Sequence, residues 1–167
     1  MYQPYPTSGE QPPEPSRPPM PNSVLTAVRL MYAGAALSFI ELVVFLSTLG
    51  GLKRVIQDAG VRAHKHYTPA QLHSLEVSFV IQSVIIGLVA IALWIWMARA
   101  NAAGHRYARI TGTVLFGLNT LSLLLSLVQP HAGLALLLFV LVWLAGLGAV
   151  IMLWRRESGP YFSPRTP

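Results

Sequence analysis

Four long apolar runs each carry one hydrogen-bonding side chain near the midpoint, and these side chains are the best candidates for chemistry in the chain. They are Glu41, Gln82, Asn119 and Trp143. At a rise of about 1.5 Å per residue, each lies within roughly 6 Å of the centre of its run. In antiparallel helices, a carboxyl, two carboxamides and an indole N–H at one depth can hydrogen-bond to one another. The pattern therefore predicts an intramembrane polar cluster.

Glu41 is the only acid of this cluster, and it has two interpretations. It has no basic partner at its level, since Arg29 lies about 18 Å away along a helix. One interpretation is a proton or cation relay, because intramembrane acids often mark transport paths. The other is a polar clamp that hydrogen-bonds to Asn119 or Gln82 and fixes the helix register. The clamp is favoured, because the sequence shows no second acid at that depth and no broken helix.

Three histidines are the only metal-ligand candidates, and they make a weak pattern. His64 and His66 could present two imidazoles if the chain is extended, with His73 further along. The sequence has no cysteine, which excludes thiolate sites. No phosphate loop, catalytic triad or zinc-hydrolase motif occurs. We therefore expect no metal site, no cofactor and no enzymatic activity.

The apolar runs that must position these side chains span residues 30–49, 75–97, 110–128 and 132–153. Each is close to the roughly 20 residues that a helix needs to cross a hydrocarbon core of about 30 Å. The composition agrees, with 53% hydrophobic and 11% charged residues. Alternation with period two, which would indicate a barrel, is absent. The predicted fold class is all-α, a four-transmembrane-helix antiparallel bundle.

The predicted organisation has three parts. Residues 1–23 are rich in proline, so we expect a disordered tail with polyproline II character. Residues 24–156 form the four-helix transmembrane domain, with a tight external hairpin at 129–131, and residues 157–167 form a short tail. A capping box is predicted where the second span begins, with Thr68 as N-cap, Pro69 at the first helical position and Gln71 closing the box.

Basic residues set the expected orientation. With the N-terminus inside, eight Lys and Arg residues face the cytoplasm and four face outside, whereas the opposite orientation reverses that ratio. We therefore expect both termini to be cytoplasmic and the net charge of +6 to reflect topology rather than nucleic-acid binding. The cytoplasmic cations could also bind anionic lipid head groups, although topology alone explains them. They are Arg99, Arg106, Arg109, Arg155 and Arg156.

Two interfacial stretches carry a resemblance to known proteins. They are Trp94-Ile95-Trp96-Met97-Ala98-Arg99-Ala100-Asn101 with Gly104, Tyr107, Ala108 and Arg109, and Leu153-Trp154-Arg155-Arg156-Glu157-Ser158 with Tyr161 and Phe162. With the run from Thr113 to Asn119 between them, the chain resembles a group of small uncharacterised four-pass integral membrane proteins common in actinobacteria. This resemblance implies four-pass architecture and membrane localisation, and it carries over no site residue.

The expected function is that of a non-enzymatic structural or interaction component of the cell membrane. The alternative is a small transporter or an ion- or proton-conducting protein that uses Glu41. The expected partners are the lipid bilayer and, through the Pro-rich tail or the cytoplasmic face, another protein. Small residues on the spans also allow association into a homo-oligomer.

Overall fold

The computed structural model describes residues 19–127 and 133–162, and in these residues the chain is helical, without a β-strand. Most of the predicted Pro-rich tail and the predicted hairpin at 129–131 lie outside the described residues. The helices are α1 (Asn22–Ser47), α2 (Leu52–Arg62), α3 (Pro69–Ala102), α4 (Arg106–Ser126) and α5 (Gly133–Leu153).

Four of these helices, α1, α3, α4 and α5, are long and apolar enough to cross a membrane. The prediction of an all-helical chain with four candidate spans is therefore confirmed. Three of them, α1, α3 and α4, begin before the apolar runs predicted for them, and α3 also ends after its run. With 34 residues, α3 is about 51 Å long and exceeds the hydrocarbon core of about 30 Å. α3 is therefore longer than a perpendicular crossing of a membrane requires.

The first half of the chain forms a long helical hairpin. Gly34 of α1 lies against the Trp94 ring of α3, and Leu42 packs on Gly87. A 3₁₀ turn, Leu49–Gly51, ends α1, and α2 then continues beside the start of α3. An ion pair with 3.7 Å between Lys53 Nζ and Glu76 Oε2 joins the two. The hairpin thus extends beyond α4 and α5 at what we call the α2 end of the molecule.

The start of α3 confirms the predicted capping box. The backbone N–H of Gln71 donates to Thr68 Oγ1 at 3.3 Å, and the backbone N–H of Thr68 donates to Gln71 Oε1 at 2.9 Å. Pro69 occupies the first helical position, where its missing N–H costs nothing. Local side-chain chemistry therefore fixes where the longest helix begins.

The remaining helices pack unevenly around α1. This helix lies between α3 and α5 and packs along both, while α4 packs against α5. Glycines permit the close approaches, with Gly148 facing Leu30 and Gly146 facing Phe116. By contrast, α3 and α4 share only a short contact. The order across the bundle is α3, α1, α5, α4, and the flank between α3 and α4 is the least closed.

The buried core lies at one end of the bundle rather than at its middle. Val24, Ala27, Ala98 and Leu153 are fully buried there, where α1 begins and α3 and α5 end. We call this the terminal end, because the described ends of the chain meet at it.

The chain after α5 is part of this core. Residues 156–162, the C-terminal segment, form two short 3₁₀ turns that fold back onto the bundle. Ser158 and Phe162 are buried. Ser158 Oγ donates to the carbonyl of Met152 at 2.9 Å and also lies 2.9 Å from Ser23 Oγ. Since a hydroxyl has one proton to give, Ser23 is the donor in that second bond. The start of α1 and the C-terminal segment are thereby joined.

A glycine turn between α3 and α4 completes the terminal end. Gly104 has φ of +70°, the left-handed conformation that closes many helices. Its N–H donates to the carbonyl of Asn101, and the N–H of His105 donates to that of Ala100. Tyr161 packs against Gly104, and its hydroxyl donates to the carbonyl of Ala102 at 2.6 Å. Many residues of the two stretches that carry the resemblance therefore meet here.

Candidate functional site

Trp143 has a hydrogen-bond partner that was not among the predicted cluster. Its Nε1–H donates to Thr120 Oγ1 at 2.9 Å, and its ring lies 5.7 Å from that of Phe116. The Thr120 hydroxyl in turn donates to the carbonyl of Phe116. This contact ties α5 to α4. The signal that sequence reasoning missed was a threonine next to Asn119.

The other three predicted residues lie at different levels of the bundle. Since Leu42 packs on Gly87, Glu41 is level with about residue 88 of α3, which leaves Gln82 roughly 9 Å further towards the α2 end. Since Leu30 packs on Gly148, Trp143 is level with about residue 35 of α1, roughly 9 Å from Glu41 in the other direction. Glu41, Gln82 and Trp143 therefore do not share one depth, whereas Asn119 is level with Trp143 because Gly146 of α5 faces Phe116 of α4.

Burial separates the four residues further. Gln82 is exposed on the outer surface of α3, whereas Glu41, Asn119 and Trp143 are half-buried. Across residues 19–127 and 133–162, no hydrogen bond joins any two of the four, and Glu41 makes no side-chain hydrogen bond. Asn119 of α4 lies at the same level of the bundle as Trp143 of α5. Glu41 and Gln82 lie at other levels and do not contact them.

The three histidines lie outside the four predicted apolar runs. His64 and His66 are exposed in the loop between α2 and α3, and His73 is near the start of α3. His64 has φ of +55° and ends α2, with its N–H donating to the carbonyl of Val61. In the part of the chain that the structure describes, no three metal-ligating side chains come together. His64 instead serves as the left-handed residue of a helix end.

A cavity of about 160 Å³ lies between the helices, at the side of the bundle where α3 and α4 barely touch. Its walls are apolar and come from four helices, with Asn119 as the one polar side chain. Gly112 and Gly146 leave the space that larger side chains would fill. The residues that define it best are Trp94, Met97, Gly112, Phe116, Asn119 and Gly146.

Arg109 lies one helical turn from this cavity, on the same side of α4 as Gly112. Its guanidinium carbon is 4.0 Å from the centre of the Trp154 ring, a cation–π contact. The Trp154 Nε1–H donates to Thr113 Oγ1 at 2.9 Å, which holds the indole in place. Arg109 Nε is buried, and no described residue accepts a hydrogen bond from it.

The other four predicted lipid contacts have a different environment. Arg109 is half-buried, whereas the rest are exposed at or near the terminal end. Exposed cations contribute to the local electrostatic potential without holding a defined partner. Arg109 differs from them because it is half-buried and packs on Trp154. The four exposed residues are Arg99, Arg106, Arg155 and Arg156.

This region offers a specific set of chemical groups. The cavity provides apolar surface, and the Arg109 and Trp154 pair provides a positioned guanidinium beside an indole. Such groups bind by hydrophobic contact and by charge. Comparisons of the chain with protein-family models, with curated proteins and with solved structures found no match.

Proposed function

We propose that the chain is a non-enzymatic structural or interaction component of the cell membrane. The observation that carries this proposal is the terminal end, where the start of α1, the α3–α4 turn and the C-terminal segment pack into one buried unit. A structured end of this kind presents a fixed surface to a partner. The resemblance to small four-pass proteins of actinobacteria favours the same membrane location.

The proposed orientation has the terminal end in the cytoplasm. An N-inside arrangement gives the eight-to-four ratio of basic residues that the positive-inside rule favours. The Pro-rich sequence before α1 then lies beside the same surface and adds P-x-x-P spacings that an aromatic groove of a partner protein can bind. Because the chain has no cysteine, single cysteines at Lys65 and Arg156 report orientation with a membrane-impermeant thiol reagent. In intact cells, this reagent should label Lys65→Cys and leave Arg156→Cys unlabelled. Labelling of Arg156→Cys but not Lys65→Cys would contradict the proposed orientation.

Hydrogen-bonding side chains within the bundle support a structural role. Trp143 of α5 donates to Thr120 of α4, and Trp154, which directly follows α5, donates to Thr113 of α4. Interhelical bonds of this kind in membranes contribute about 0.6 kcal/mol on average. They hold α4 against α5, where the contact is less extensive than that between α1 and its neighbours. Polar groups in these spans therefore serve helix association.

The alternative, a transporter or proton-conducting protein, depends on Glu41 because this acid is half-buried within a span. We expect wild-type protein and Glu41→Gln in proteoliposomes to leak protons no faster than protein-free liposomes. We also expect Glu41→Leu to unfold at the same or a higher temperature in detergent, because no described side chain hydrogen-bonds to Glu41 and leucine removes a costly polar group.

Two results would contradict these expectations for Glu41. Proton flux in the wild type that is lost in Glu41→Gln, with stability unchanged, would make Glu41 a carrier and favour the transporter. A lower unfolding temperature in Glu41→Leu but not in Glu41→Gln would show that Glu41 acts as a polar clamp.

A further inference from the structure

The cavity beside α3 and α4 has the lining of a hydrocarbon site and a volume that holds about six carbons, which is a segment of an acyl chain. Its volume of about 160 Å³ is similar to apolar protein cavities of about 150 Å³ that bind benzene. Leu93, Leu115 and Val150 add to its apolar walls. Because apolar walls offer water no hydrogen bonds, a hydrocarbon is the favoured occupant.

The cavity opens sideways, towards the bilayer. The helix pairs α1 and α3, α1 and α5, and α4 and α5 pack along each other, which closes those three sides. Only α3 and α4 leave a gap, since they meet over a short stretch. Both are candidate membrane spans, so the surroundings of this gap are lipid. An acyl chain can therefore enter without crossing water.

Arg109 supplies a cation one helical turn from the cavity, where it packs on Trp154. It precedes Gly112 by about 4.5 Å along α4, on the side of the terminal end. Its buried Nε has no acceptor among the described residues, and the ion pair that the structure describes, Lys53 with Glu76, lies at the α2 end. A buried donor on a cation without an anion is costly, and a phosphate oxygen would satisfy it.

We propose that this cleft binds one anionic phospholipid, with an acyl chain in the cavity and the phosphate at Arg109. Trp154 keeps the guanidinium in position, because its own N–H is fixed by Thr113. Asn119 lies about 15 Å from Arg109 along α4 and marks the deep end of the site. The assignment of this lipid to the inner leaflet rests on the proposed orientation.

Lipid binding to the purified full-length chain tests the proposal. Native mass spectrometry would titrate dioleoyl phosphatidylglycerol and dioleoyl phosphatidylcholine in parallel. We expect one phosphatidylglycerol to bind about fivefold more tightly than phosphatidylcholine, because both lipids carry the phosphate but the choline ammonium of phosphatidylcholine repels the guanidinium. Arg109→Gln should abolish this preference, whereas the matched control Arg106→Gln, which changes an exposed arginine of the same helix, should keep it within about twofold.

Filling the cavity tests the acyl chain separately. A Cβ at Gly112 would meet only the flexible end of Met97, at 3.3 Å, so Gly112→Leu should fold and weaken both lipids about tenfold. If it does not fold, Ala90→Leu fills the same cavity from α3.

Three outcomes would overturn the proposal. They are equal binding of the two lipids to wild type, equal losses in Arg106→Gln and Arg109→Gln, and unchanged binding after the cavity is filled. Because binding is measured in detergent, it does not depend on orientation, so the lipid site and the proposed topology can fail separately.

Discussion

Phe162→Ala is expected to lower the free energy of unfolding by about 3 kcal/mol, the lower part of the range for a buried phenylalanine. Phe162 is 5% exposed and belongs to the core that contains Val24, Ala98 and Leu153. Alanine would leave a cavity at the terminal end and remove the edge-to-face contact with Tyr161, whose ring centre is 5.4 Å away. Denaturation in mixed detergent micelles, followed by circular dichroism, measures the change.

Tyr107→Ala is the matched control, because Tyr107 is an aromatic residue close to the same end. It is 48% exposed and stacks on Trp96 at 6.3 Å. Its truncation should cost less than a third as much as that of Phe162, since little of its surface is buried. Equal losses in the two variants would mean that the C-terminal segment is not packed against the bundle.

Gly34→Leu is expected to destabilise the protein by about 2 kcal/mol, in the range for overpacking. A Cβ at Gly34 would lie 2.9 Å from Trp94 Cε2 and 3.0 Å from two further ring atoms. The indole also lines the cavity. A leucine would therefore push the ring into that space or separate α1 from α3 along the hairpin. The unfolding temperature in detergent reports this effect.

The same substitution at Gly117 is the control for Gly34→Leu. It distinguishes a steric clash between helices from a general effect of replacing glycine by leucine. Gly117 of α4 is exposed, and a Cβ there would have no neighbour within 4 Å. Gly117→Leu should not lower the free energy of unfolding, and the higher helix propensity of leucine should raise it by up to about 1 kcal/mol. If Gly117→Leu is as harmful as Gly34→Leu, the close approach of α1 and α3 cannot be the cause.

Much of the fold could be predicted from the sequence, because lipid restricts what an apolar run can form. A run of about 20 apolar residues has no satisfactory structure there except a helix, so four runs gave four candidate spans. The start of α3 was equally predictable, since Thr68, Pro69 and Gln71 act through local hydrogen bonds. These features depend on residues close together in the chain.

The register between helices could not be predicted in the same way. Midpoints of apolar runs were taken as one depth, but close contacts such as Gly34 with Trp94 set the actual levels. The start of α3 also extends past α4 and α5, beside α2, so Gln82 lies further towards the α2 end than the other midpoints. The pairing of a small residue with a ring on another helix depends on the packed bundle. It leaves no periodic pattern in the sequence.

The candidate site could be predicted only in part, because it too depends on packing between helices. Arg109 was named among five basic residues, and only packing distinguishes it, by burying its Nε beside Trp154. The cavity has no sequence pattern, since its walls come from four helices. Residues after α5 looked like a short tail, yet Ser158 and Phe162 are buried there. Seven residues are too few to show a periodic pattern.

The most direct test of the structural account is a cross-link between the two chain ends. Ser23 Oγ and Ser158 Oγ are 2.9 Å apart, and the chain has no native cysteine, so Ser23→Cys with Ser158→Cys gives a single pair of thiols. In native membranes, mild oxidation should form an intramolecular disulfide, seen as a shift on a non-reducing gel. The control pair, Ser47→Cys with Ser158→Cys, places its thiols near opposite ends of the bundle and should stay reduced. Failure of the first pair to cross-link, or equal cross-linking of both, would contradict a terminal end built from the start of α1 and the C-terminal segment.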